Sequence, residues 1–95
     1  MTTYKLRFHE LALKEWRKLG EPLREQFKKK LAERLENPRV PSAALSGMSD
    51  CYKIKLRAAG YRLVYRVEDD YLLVTVVSIG KRERLSVYDL ARKRL

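Results

Sequence analysis

Cys51-Tyr-Lys-Ile-Lys-Leu-Arg57 alternates apolar and cationic side chains without interruption, and Gly60-Tyr-Arg-Leu-Val-Tyr-Arg66 carries the alternation onward. Read as β-strands with a period of two, these segments send Tyr52, Ile54, Leu56, Leu63, Tyr65 and Val67 to one face and Lys53, Lys55, Arg57, Arg62 and Arg66 to the other. The first face builds a core. The second crowds positive charge onto a rigid surface suited to a polyanion, although a solvated outer face produces the same pattern.

Cross-strand neighbours in an antiparallel pair point to the same side, so only an even-numbered loop keeps the two cationic faces together. A loop of Ala58 to Tyr61 predicts Arg57 opposite Arg62, Lys55 opposite Val64, Lys53 opposite Arg66 and Ile54 opposite Tyr65. Like charges set across from one another in this way cost stability.

The chain has 95 residues, enough for one modest core, so residues 1–95 are read as a single domain. Lys and Arg number 22 against 12 Asp and Glu, and the resulting formal charge of +10 exceeds what solubility asks of a small domain. RNA, DNA or an acidic protein is therefore the expected kind of partner. A membrane is not, since no apolar run reaches spanning length and no helix pairs a basic face with a wide apolar one. The opening Met1-Thr-Thr-Tyr-Lys5 lacks the apolar stretch of a secretory signal, which predicts a cytoplasmic protein. One cysteine and one histidine allow no internal disulfide and no zinc site, and Cys51 reads as a small, semi-buried strand residue.

Elsewhere the periodicity predicts a strand over Thr3 to Phe8, then a helix from His9 whose face is Leu11, Ala12, Trp16 and Leu19, stopped by Gly20. Pro22 suits the first turn of a second helix in which Leu23, Phe27, Leu31 and Leu35 recur every four residues until Asn37-Pro38. The cations Arg24, Lys28, Lys29, Lys30 and Arg34 read as its solvated face. In the loop from Arg39 to Asp50, Leu45 and Met48 are the expected anchors. After a turn at Glu68-Asp69-Asp70, the run Tyr71 to Ile79 predicts a central strand covered on both sides, ending at Gly80. Val87, Leu90, Ala91 and Leu95 suggest a short C-terminal helix. The order β-α-α-β-β-β-α describes an α+β domain with a twisted, mainly antiparallel four-stranded sheet, an N-terminal helical hairpin and helices on one side.

If the polyanion is a substrate, the residue inventory removes most mechanisms. His9 is the single histidine, so two-imidazole chemistry is out, and it reads as an ordinary polar residue at a helix start. Clustered carboxylates for two-metal hydrolysis are missing, since Asp69 and Asp70 belong to a turn. There is no Gly-rich phosphate loop and no Ser-His-Asp set. Lysine, arginine and tyrosine remain. They suffice for RNA, whose 2'-OH is an internal nucleophile, because the main demand is to align it and to stabilise charge on the phosphoryl oxygens. A lysine crowded by other cations also has its protonated form disfavoured, which readies such a group as a general base.

Ala12-Leu-Lys-Glu-Trp-Arg-Lys-Leu-Gly20, Asp50-Cys-Tyr-Lys-Ile-Lys-Leu-Arg57, Gly60-Tyr-Arg-Leu-Val-Tyr65 and Ser78-Ile-Gly-Lys-Arg-Glu-Arg84, with Tyr88 beyond, occur in an order and spacing that is specific as a set. Over nearly its whole length the chain resembles the RelE toxins of bacterial type II toxin–antitoxin systems, within the RelE/ParE superfamily. The resemblance implies the RelE-like microbial RNase fold and a ribosome-dependent endoribonuclease that cuts mRNA in the ribosomal A site by 2'-OH attack, with no metal and no other cofactor. It implies as partners the 70S ribosome with its mRNA and 16S rRNA, and a RelB-like antitoxin through which alone DNA would be reached.

Carried over by position, the implied catalytic residues are Lys53, Lys55, Arg62, Arg82 and Tyr88. Lys55, helped by Lys53, would activate the 2'-OH; Arg62 would clamp the phosphate, Arg82 would act at the leaving 5'-oxygen and Tyr88 would stack on a base. Electrostatic stabilisation suits Arg82 better than proton donation, given the very high pKa of arginine. Arg57, Arg66, Lys81 and Arg84 are the expected further RNA contacts, and Tyr61 and Tyr65, sharing the parity of Leu63, belong to the core. Ser46 departs from the pattern, which has an arginine there. Two competing readings are a ParE-like poison of DNA gyrase, disfavoured by the two lysines, Arg82 and Tyr88, and a non-catalytic basic module that binds RNA or ribosomes.

Overall fold

In the computed structural model, which describes residues 3–81 and 86–95, the chain runs β1 (Lys5–Phe8), α1 (Glu10–Lys18), α2 (Glu21–Glu36), β2 (Cys51–Leu56), β3 (Tyr61–Glu68), β4 (Leu73–Lys81) and α3 (Ser86–Arg94). The sheet order is β1-β4-β3-β2, with β1 parallel to β4 and the other two pairs antiparallel. The expected α+β order and mainly antiparallel sheet are therefore present. The helices, however, do not share one side. Ala12 of α1 and Phe27 and Leu31 of α2 pack on Tyr52, Ile54, Leu63, Tyr65, Val67, Val74, Val76 and Ile79. Val87 and Ala91 of α3 instead join Met48, Cys51, Val64 and Val77, the residues of opposite parity. The alternation of β2 and β3 thus places α3 on the face that bears Lys53, Lys55, Arg62 and Arg66, where Cys51 and Val64 give it an apolar seat.

Local chemistry explains most of the boundaries. The ring Nδ1 of His9 accepts from the Leu11 amide at 3.1 Å and caps α1, while the His9 amide donates to the Val76 carbonyl and closes the β1–β4 ladder. Gly20 is not the stop of α1: with φ −64° it is the extended residue ahead of α2, and Pro22 occupies that helix's first turn. Leu11 is 44% exposed and contributes nothing to the helical face assigned to it, whereas Leu19 is buried. Met48 is buried and Leu45 packs beside it, as the loop pattern predicts.

β4 shows how one extra residue serves two layers. A bulge opposite Val64 and Tyr65 inserts Val77, so that Val76 faces α1 and α2 while Val77 and Ser78 both face α3. Ser78 is fully buried and its hydroxyl donates to the Val87 carbonyl at 2.7 Å. The strand begins at Leu73 and runs through Gly80 to Lys81, further than the apolar run suggests, and Tyr71 lies in a 3-10 turn outside it.

At one end of the sheet Asp69 accepts from the Tyr4 hydroxyl at 2.6 Å and from Arg39 Nη2 at 2.6 Å, and Arg39 also reaches Asp50 at 3.0 Å and the Tyr52 hydroxyl at 3.2 Å. The Arg39 guanidinium, then the Tyr4 hydroxyl, hold the Asp69 carboxyl below its usual range. A carboxylate so depressed stabilises the fold above its unfolded pKa of 3.8 and loses that contribution as pH falls through the lower folded value. Asp69→Asn is therefore expected to flatten the acid limb of stability. Urea unfolding at steps from about pH 5 to about pH 2 checks this, and an unchanged slope would count against the network.

Candidate active site

The turn between β2 and β3 is Arg57 to Gly60, closed by the Gly60 amide on the Arg57 carbonyl, with Gly60 at φ +70°. Tyr61 therefore belongs to β3, and the register is displaced by two residues from the expected one. Lys55 pairs with Arg62, Lys53 with Val64, Ile54 with Leu63, and Cys51 with Arg66. The even displacement leaves each side chain on the face that the alternation assigns to it. What changes is the neighbourhood of each charge. Lys55 and Arg62 are now directly opposite, which sets their Cβ atoms about 5 Å apart on one face.

Arg62 is not on an open surface. Its exposure is 6%, and its Nη1 donates to the Tyr61 carbonyl at 3.1 Å. Across β4 it faces Gly80, where an added Cβ would touch Val87 Cβ at 3.7 Å. The close approach of α3 over Gly80 holds the start of that helix against the Arg62 row, and Tyr88, half-buried on the α3 cluster, follows directly. Lys53, Lys55, Arg62 and Tyr88 are thus gathered on one face by three elements: two strands that fix the cations, and a helix that fixes the aromatic ring. Such an array can hold a phosphodiester electrostatically with a base stacked at its margin.

The other expected residues are more scattered. Arg66 is exposed on the same face, but it lies four residues further along β3, roughly 13 Å from Arg62, beside Asp50. Lys81 pairs with Tyr61, which puts it on the side of α1 and α2. Arg57 is exposed in the turn. Arg82 and Arg84 lie outside the described residues. Cys51 is almost completely buried rather than semi-buried, and that burial pushes its thiol pKa up.

Two charged residues have structural roles that the sequence does not announce. Arg34, read as part of a solvated helix face, is half-buried; its Nη1 donates to the Lys53 carbonyl at 3.1 Å and to the Tyr65 hydroxyl at 2.9 Å, and its guanidinium lies over the Tyr65 ring. It fastens the outer edge of β2 behind the lysines. Arg94 donates to Glu15 and to the Val77 carbonyl, both at 2.8 Å, while Glu15 accepts from the Ile79 amide at 3.1 Å. β1 ends opposite Val76, so these two side chains complete the edge of β4 that β1 leaves open. The only signal for either is an arginine on a helix whose other charges face outward, which periodicity does not distinguish.

A family model described as the ParE toxin of the type II toxin–antitoxin system parDE matches residues 6–86. The chain is 62% identical over 92 residues to the mRNA interferase toxin RelE of Escherichia coli, an alignment spanning 97% of both proteins. A structure of a mutant E. coli toxin RelE in the free state superposes with a TM-score of 0.91 at 59% identity, covering 98% of each chain. RelE in the intact E. coli RelBE toxin–antitoxin complex gives a TM-score of 0.83 at 63% identity, covering 85% of this chain and 99% of that one.

Proposed function

The chain belongs to the ParE-toxin family of type II toxin–antitoxin systems, within the RelE/ParE superfamily, and from that premise we propose that it is an mRNA interferase, an endoribonuclease that inactivates mRNA on the ribosome. The observation that carries this reading is the direct pairing of Lys55 with Arg62, beside the helix that bears Tyr88. The likeness to a relative named an mRNA interferase toxin, at 62% identity, supports RNA over DNA gyrase as the target.

In this mechanism Lys55 takes the proton of the ribose 2'-OH with Lys53 alongside. Arg62 holds the non-bridging oxygens of the scissile phosphate, and Tyr88 stacks on a base. Arg82 stabilises charge on the departing 5'-oxygen, and a 2',3'-cyclic phosphate is left. In this reading the ribosome supplies the alignment of 2'-OH and phosphate in its A site. Arg57, Arg66, Lys81 and Arg84 add attraction to mRNA and 16S rRNA. A RelB-like antitoxin, of the kind bound in the related RelBE complex, neutralises the toxin by covering the cationic face, and its affinity falls as salt rises. The working compartment is the cytoplasm. Among the described residues no helix is long and apolar enough to cross a membrane.

The test is cleavage of mRNA on programmed ribosomes and of the same mRNA free in solution. Cutting is expected on ribosomes alone, to persist with EDTA once ribosome integrity is controlled, and to leave the cyclic phosphate. Equal rates on both substrates, or a strict Mg2+ requirement in a single turnover, would sink the mechanism.

A further inference from the structure

On the outer edge of β2, behind the catalytic face, a cleft of about 310 Å³ opens between that strand, α2 and the Pro41–Ala43 turn. Its charged lining consists of Lys30, Arg34, Lys53, Lys55 and Arg57, with no carboxylate among the lining residues. We propose that this cleft is a second phosphate-binding site, which takes the backbone of single-stranded RNA flanking the scissile nucleotide. The inference rests on the nuclease reading and extends it to residues of α2 and the β2–β3 turn.

Three observations support it. Lys53 and Lys55 line the cleft and belong to the catalytic face as well, so a strand held at one passes directly into the other. Their Cα atoms are two strand residues apart, roughly 6.6 Å, close to the separation of successive phosphates in an extended polynucleotide. Arg34 is preorganised: its Nη1 is fixed by the Lys53 carbonyl and the Tyr65 hydroxyl, so its charge is held in place before any ligand arrives. An acidic peptide would also be attracted, but the continuity of the cleft with the catalytic face through Lys53 and Lys55 favours the RNA strand held there.

The test uses a fluorescein-labelled single-stranded RNA oligonucleotide with 2'-O-methyl riboses, which cannot be cut, and reads affinity by anisotropy over a range of salt. Lys30→Glu with Arg57→Glu changes two exposed side chains and spares Arg34, which the fold needs. This pair is expected to weaken binding about tenfold or more and to reduce the logarithmic salt slope by about 1.4, the loss of two single-strand phosphate contacts. Lys14→Glu with Lys18→Glu, an equal charge change on α1 away from the cleft, is expected to do much less. The proposal is overturned if the two pairs behave alike, or if the wild type fails to bind the oligonucleotide at low salt. It is also overturned if the cleft pair loses affinity only for an acidic antitoxin peptide, which would make this a protein-binding surface. Wild-type cleavage on ribosomes, followed in parallel, keeps the two ideas apart: no cleavage with cleft-dependent RNA binding would remove the nuclease reading and leave the cleft.

Discussion

Lys55→Ala is expected to slow single-turnover cleavage of mRNA on saturated ribosomes by about a hundred- to ten-thousandfold, the range for losing a positioned general base. The expectation rests on placement: β2 and β3 set Lys55 directly opposite Arg62 on one face, so the amine works beside the guanidinium that would hold the phosphate. Stability should change by no more than about 0.5–1 kcal/mol, because the side chain is exposed on its strand. Lys55→Arg separates two roles that alanine alone would merge. An arginine keeps the charge but does not give up its proton, so it should fail to rescue a base and should largely rescue an electrostatic clamp. A variant that cuts at the wild-type rate but docks poorly would make Lys55 a binding residue and invalidate the mechanism.

Arg94→Ala is expected to cost about 3 kcal/mol, a large share of what a domain of this size possesses. The pair it forms with Glu15 is mostly shielded, with side-chain exposures of 9% and 24%. Its removal also leaves the Val77 carbonyl without its donor and the Glu15 carboxylate without its counterion. Glu15 and Arg94 stand in for a continuation of β1, one accepting from an amide and the other donating to a carbonyl. Charge reversal, Glu15→Arg with Arg94→Glu, should therefore not restore stability, since it sets a donor against the Ile79 amide and an acceptor against the Val77 carbonyl. Urea unfolding of the single and double variants decides the matter; full recovery on reversal would reduce the clamp to an ordinary ion pair. Because the pair ties α1 on one face to α3 on the other, its loss should also loosen the helix that carries Tyr88.

Much of this protein is written in its local pattern. Period-two alternation from Cys51 to Arg66 determined which residues face α1 and α2, and period-four recurrence of Phe27 and Leu31 determined the buried side of α2, because burial on a regular element repeats with that element's geometry. The residue inventory also narrowed the chemistry open to a polyanionic substrate to lysine, arginine and tyrosine. What local pattern lacks is any account of which partner lies across a strand or over a face. A four-residue turn is compatible with more than one frame, so the pairing of Lys55 with Arg62 was decided by the β3–β4 ladder and the packed core on either side. The α3 helix crossed to the other face because the Val77 bulge, Gly80 and the buried Val64 and Cys51 offer it an apolar seat there. Arg34, Glu15 and Arg94 look like surface charges in one dimension. Only the folded chain brings each to a backbone group that no neighbouring strand can satisfy, and a buried polar group without a partner is costly enough to draw a charged side chain inward.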